Sequence, residues 1–192
     1  MELYIYLEFI NQIDLKGKYY IISLLLLWSL LGFAQTPPII AINDAADAES
    51  FYGPEQLIED VLIDSPCSTV SDFSYQVSGS PANNTTKSYG YFRRAGGTTF
   101  PFESGIVITS GDAYPGGNVI TGGIVNNQNN LSGDADLDAY ITSTPGTNSE
   151  DATYIKFTFT PIADNISFRY LMASEEYGDF ECQYTDSFAF LL

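Results

Sequence analysis

Thr153-Tyr154-Ile155-Lys156-Phe157-Thr158-Phe159-Thr160 decides the fold class. Ile155, Phe157 and Phe159 fall on one side of this stretch. Tyr154, Lys156, Thr158 and Thr160 fall on the other. A period of two is the signature of a β-strand with one face turned to a core. Pro161-Ile162-Ala163-Asp164-Asn165 follows and is rich in turn formers. Ile166, Phe168, Tyr170 and Met172 then alternate again. The two alternating runs are expected to pair as an antiparallel hairpin with one buried face.

Reading outward, residues 70–77, 89–93 and 104–110 also carry strand-like patterns, and residues 111–133 form a long loop rich in Gly and Asn. Before them, Leu57, Ile58, Val61 and Leu62 recur at helical spacing after Pro54, with Glu55 in the first turn and Pro66 beyond the end. Many short strands with Gly, Asn and Pro turns imply a mostly β fold. The expectation is an antiparallel β-sandwich or jelly-roll-like domain with one short N-terminal helix. The final stretch, Asp186-Ser187-Phe188-Ala189-Phe190-Leu191-Leu192, reads as a strand interrupted in mid-run, as in a domain incomplete at its C-terminus.

Composition narrows the function. The chain has 192 residues, 45% of them hydrophobic, and a net charge of -17. Such acidity lacks the basic footprint of a nucleic-acid-binding protein and repels anionic lipid. It suits an extracellular protein or one that holds divalent cations. There is no histidine, which excludes a Ser-His-Asp triad, a histidine base and histidine-containing zinc sites.

Lys16 and Lys18 precede an apolar run at residues 19–33, with Gly32 and Ala34 at the small-residue positions of a signal-peptidase site. The run is shorter than the roughly 20 residues of a membrane span. Residues 1–34 are therefore read as a signal peptide. Residues 1–15 are too long and acidic for its usual start, and a misassigned initiation codon would account for them. Residues 35–52 read as a linker and 53–192 as the domain. Export would permit a disulfide between Cys67 and Cys182, with two free thiols as the alternative.

Two acidic motifs stand out. Gly133-Asp134-Ala135-Asp136-Leu137-Asp138 spaces three carboxylates two apart, and Glu175, Glu176, Asp179 and Glu181 crowd into one run. Calcium takes several oxygen ligands, and alternate positions of a loop can converge on one ion. Asp134, Asp136, Asp138, Glu175, Glu176 and Asp186 are the candidate ligands. The first motif is not an EF-hand, since Ala139 and Pro145 stand where that loop needs Gly and Glu. The competing reading has Asp134 capping a short helical turn while the other carboxylates are solvated. A carboxylate pair for glycoside hydrolysis is a further alternative.

Several phrases together resemble one family. They are Gly105-Ile106-Val107-Ile108-Thr109-Ser110-Gly111-Asp112-Ala113, the 133–138 motif, the 151–161 strand, and Ile166-Ser167-Phe168-Arg169-Tyr170 with Ala173-Ser174-Glu175-Glu176-Tyr177 and Asp186-Ser187-Phe188-Ala189-Phe190. Their order resembles the choice-of-anchor L domain of bacterial surface and secreted proteins. The resemblance implies no established catalysis, and it implies a parent protein that is often anchored or sorted by type IX secretion. The resulting expectation is an exported, adhesin-like, non-catalytic module at the cell surface or in the medium. It would bind calcium structurally and meet an extracellular glycan or protein. A secreted carbohydrate hydrolase and a ligand-free spacer are the alternatives.

Overall fold

A computed structural model describes residues 38–65, 68–118, 127–141, 148–174 and 186–192. The described chain is mostly β. Its strands are β1 (Ile40–Ile42), β2 (Thr69–Gln76), β3 (Tyr89–Arg94), β4 (Ser104–Ile108) and β5 (Tyr154–Thr160). They form two antiparallel sheets, one in the order β1-β3-β4 and one of β2 with β5. Short helical turns connect them: a 3-10 turn at Ala48–Phe51, α1 (Pro54–Leu57), α2 (Pro115–Asn118) and α3 (Ala135–Asp138).

The predicted helix begins as expected, with Pro54 in its first turn and Leu57 and Ile58 fully buried. It does not run on as a regular α-helix. From Ile58 to Ile63 it widens to a π-type turn, and Asp64 N–H closes on the Glu59 carbonyl at 3.1 Å. Asp64 ends the turn in the left-handed region, at φ 39°.

Ile40–Ile42 lies inside the stretch read as a linker, yet it forms β1 against the outer edge of β3. Three residues are too few to display a period. What holds them is burial of Ala41 and Ile42 and a side-chain extension of the ladder. Asn43 turns out of the strand at φ 51°. Its fully buried amide donates from Nδ2 to the Tyr89 carbonyl (3.1 Å) and accepts at Oδ1 from Tyr91 N–H (3.2 Å). The side chain thus replaces one more residue of strand. Gly90 lies directly beneath it, and a Cβ there would collide with the Asn43 amide.

The expected hairpin between residues 153–160 and 166–172 is not formed. β5 pairs with β2 instead, with Ile155 opposite Tyr75 and Phe159 opposite Val70, and Phe73 meets Phe157 at 6.0 Å between ring centroids. A register irregularity between Ser71 and Ser74 surrounds Asp72, which sits at φ 53°. Alternation defines which face of β5 is apolar; it does not name the partner strand, because pairing is a long-range choice.

Residues 165–174 and 186–192 belong to no strand. They nevertheless run past each other in opposite directions. Phe168 meets Phe190 at 4.3 Å and Tyr170 meets Phe188 at 5.5 Å. Phe168 and Tyr170 do share a face, but Ile166, Phe168, Tyr170 and Met172 are exposed rather than buried as alternation predicted. Arg169 ties this ribbon to the body, its Nη2 donating to the Pro101 carbonyl and its guanidinium lying over the Phe102 ring.

Asn43→Ala removes both amide bonds and leaves a buried carbonyl and a buried N–H unpaired. We expect a loss of about 2–3 kcal/mol of unfolding free energy, measured as a lower urea midpoint with an unchanged slope. Gly90→Ala should also destabilise, through the clash described above.

Candidate functional site

The acidic turn α3 is built by its own first residue. Asp134 sits at the N-cap in extended conformation, and one oxygen of its carboxylate accepts from both Asp136 N–H and Leu137 N–H at 3.0 Å. Aspartate is favoured there because a helix start leaves donors without intrahelical partners. The capping role read from the sequence is therefore present. The second oxygen of Asp134 faces Lys156, at 3.2 Å from Nζ, and Asp136 faces the same ammonium at 2.7 Å. Lys156 projects from β5 and also lies over the Tyr154 ring, 4.4 Å from its centroid.

Asp138 turns the other way. Its Oδ1 accepts from Ser149 N–H, while Ser149 Oγ accepts from Asp134 N–H at 2.9 Å. The strand-like segments on either side are laced together. Leu131 N–H donates to the Asp151 carboxylate, Asp151 and Ala152 N–H donate to the carbonyls of Leu131 and Ser132, and Gln76 Nε2 reaches both the Ser132 and Ala152 carbonyls at 2.7 Å. Gln76 thereby fastens the acidic turn to β2.

The electrostatics follow from these contacts. The Asp134 carboxyl is held below its usual value, first by the Leu137 N–H and then by Lys156. The Lys156 ammonium is raised, first by Asp136 and then by Asp134. Two carboxylates, Asp134 and Asp136, thus share one cation. Among the described residues, no three carboxylates converge closely enough to hold a metal ion. Asp186 stands apart from the turn, accepting a hydrogen bond from Ser174 Oγ at 2.9 Å. Glu175, Glu176, Cys67 and Cys182 lie outside the described residues, as does the segment read as a signal peptide.

Lys156 was not foreseen as a member of this site. It lies twenty-two positions from Asp134 and reads simply as a polar residue on the outer face of β5. Two open grooves lie among the described residues. One of about 640 Å³ runs beside the π-type turn, between Tyr52, Glu59, Asp60, Asp64 and Thr69. Another of about 410 Å³ lies against Gln128, Asn130, Ser132, Glu150 and Asp151. Among the described residues, no helix is long and apolar enough to cross a membrane.

A depressed folded-state value means that Asp134 stabilises the fold above its unfolded value of 3.8. That stability is lost as pH falls through the lower folded value. Asp134→Ala should cost about 1 kcal/mol at neutral pH. Asp134→Asn should keep much of the cap and show a shallower loss of stability on acidification below 3.8. Urea unfolding at stepped pH checks both.

Comparison with known proteins adds the last element. Neither a curated protein nor a solved structure matches the chain. The family model for the choice-of-anchor L domain matches residues 44–192, from the turn after β1 through the acidic turn, β5 and the aromatic ribbon. Domains of this kind are modules of cell-surface and secreted proteins and are non-catalytic in kind. Its match covers most of the sequence, so the chain belongs to the choice-of-anchor L domain family.

Proposed function

We propose that the chain is a non-catalytic, adhesin-like module of an exported protein, which presents an acidic surface to an extracellular partner and is stiffened by calcium. The observation that carries the reading is the family match over residues 44–192. The net charge of -17 supports it, since it suits an aqueous extracellular setting. The grooves beside the π-type turn and beside Asp151 are open, and they are lined with carboxylates, hydroxyls and amides. Such surfaces suit a polar partner, a glycan or a protein, better than an apolar small molecule. Export by a signal at residues 1–34, and sorting through type IX secretion, complete this reading.

The calcium part rests on charge. The turn α3 and its cap carry three carboxylates, Asp134, Asp136 and Asp138, and the one ammonium of Lys156 pairs with the first two. Two negative charges are left over, which a divalent ion matches. Asp136 is the exposed member of the pair and has an oxygen to offer. Glu175, Glu176 and Asp186 would supply ligands in the second acidic run. A disulfide between Cys67 and Cys182 would join that run to the start of the domain.

The test is a thermal melt of the chain with excess calcium and then with chelator. Native-state binding at one hundred times Kd contributes about 2.7 kcal/mol, a midpoint rise of roughly 5–10 °C. Asp136→Asn should reduce the rise if α3 holds the ion. A cooperative melt unmoved by calcium would remove the ion from the proposal and leave the module as a lysine-compensated spacer or binding domain.

A further inference from the structure

Lys87 lies two residues before the start of β3 and is fully buried, the only acidic or basic residue so placed among the described residues. Its Nζ donates to the Ser50 carbonyl at 2.6 Å and lies 5.0 Å from the centroid of the Tyr89 ring. Among the described residues it has no carboxylate partner. The side chain is also walled in. Its own carbonyl accepts from Ala113 N–H, and Gly79, at φ 83°, packs so closely on Lys87 that a Cβ there would strike it. The lysine cannot swing out to water without opening the loop that leads into β3.

An ammonium carries three N–H donors and wants an acceptor or water for each. Here one backbone carbonyl and one aromatic face are what it meets. We propose that Lys87 is a proton-linked switch in the core, making the fold firmer in mildly alkaline surroundings than at neutral pH. Burial without a counter-charge favours the neutral amine. It pushes the pKa of Lys87 down to about 8 from 10.5, and burial is the sole cause. The groups around it do not reverse this. Ser50 offers only its carbonyl, and Tyr89 is itself held neutral by burial. Glu49 on the 3-10 turn, Glu55 on α1 and Asp112 beside Ala113 add no offsetting attraction.

The sign follows from proton counts. Between about pH 8 and 10.5 the unfolded lysine keeps a proton that the folded one has released. Stability therefore rises with pH in that window. Below it both states are protonated and the dependence vanishes. Near pH 10 the tyrosines act in the opposite direction, because burial holds Tyr89 and Tyr91 neutral in the folded state. The rise is thus confined to mildly alkaline pH.

Urea unfolding of the full chain from neutral pH to about pH 10 tests this, with Lys87→Met alongside. The folding constant of the native chain should increase on the order of 100-fold relative to the variant's across the window. Equal pH slopes in the two proteins would overturn the proposal. Should Lys87→Met fail to fold, an NMR titration of the lysine Cε carbons in the native chain decides. A midpoint near 8 at Lys87 supports the switch, with the raised Lys156 as internal contrast. A Lys87 midpoint at the ordinary lysine value overturns it.

Discussion

The carboxamide of Asn43 holds the main sheet to its first strand. β1 has only three residues, and pairing that short is marginal in water. By bonding Tyr89 O and Tyr91 N–H, Asn43 lengthens the ladder and lets the chain turn away towards the 3-10 turn. β3 is central in this sheet and takes β4 on its other side. Ile42, Leu57, Ile58 and Tyr89 are among the buried apolar side chains of the described core. Two further contacts converge on β1. Gly117 packs on Ile42, and Asn118 Nδ2 donates to the Ile42 carbonyl as well as to Tyr114 O. Loss of the Asn43 bridge would loosen α2 together with β1.

Cations are scarce, seven against 24 carboxylates, and Arg93 and Lys156 are placed where they bind parts of the chain that are distant in sequence. Arg93 of β3 grips Asp44 at 2.9 Å and Asp47 at 2.5 Å, pinning the turn after β1. Lys156 of β5 grips α3. Exposed pairs of this kind contribute little individually, about 0–1 kcal/mol. Their role here is geometric, since each crosses from a strand to an acidic turn that would otherwise be repelled by its neighbours. Lys87, by contrast, is spent inside the protein on a carbonyl.

The strands were legible in the sequence where alternation was long enough to register. Residues 89–93 and 104–110 became β3 and β4 with small changes at their ends. The helical start at Pro54 and the cap at Asp134 were legible because both are local signals. Partnership was not. The five-residue turn after β5 favoured a hairpin, but β2 took the place of the next strand. β1 was hidden in Ile40-Ala41-Ile42, where only tertiary burial distinguishes strand from linker. Lys156 and Lys87 were hidden for a related reason. A lysine on a strand face or in Thr85-Thr86-Lys87-Ser88 looks like a solvated residue until its distant partners are in place.

The ribbon of Phe168, Tyr170, Phe188 and Phe190 gives this acidic molecule an amphiphilic character. One flank is oily, and the remainder carries a strong negative field. Self-association through the oily flank must bring two like-charged bodies together, so Coulomb repulsion acts as the solubilising force. That force is conditional. Salt shortens its range and acid removes its source. Colloidal behaviour is thereby governed by the ionic medium, with dilute neutral solution keeping the ribbons apart and saline or acidic solution letting them meet.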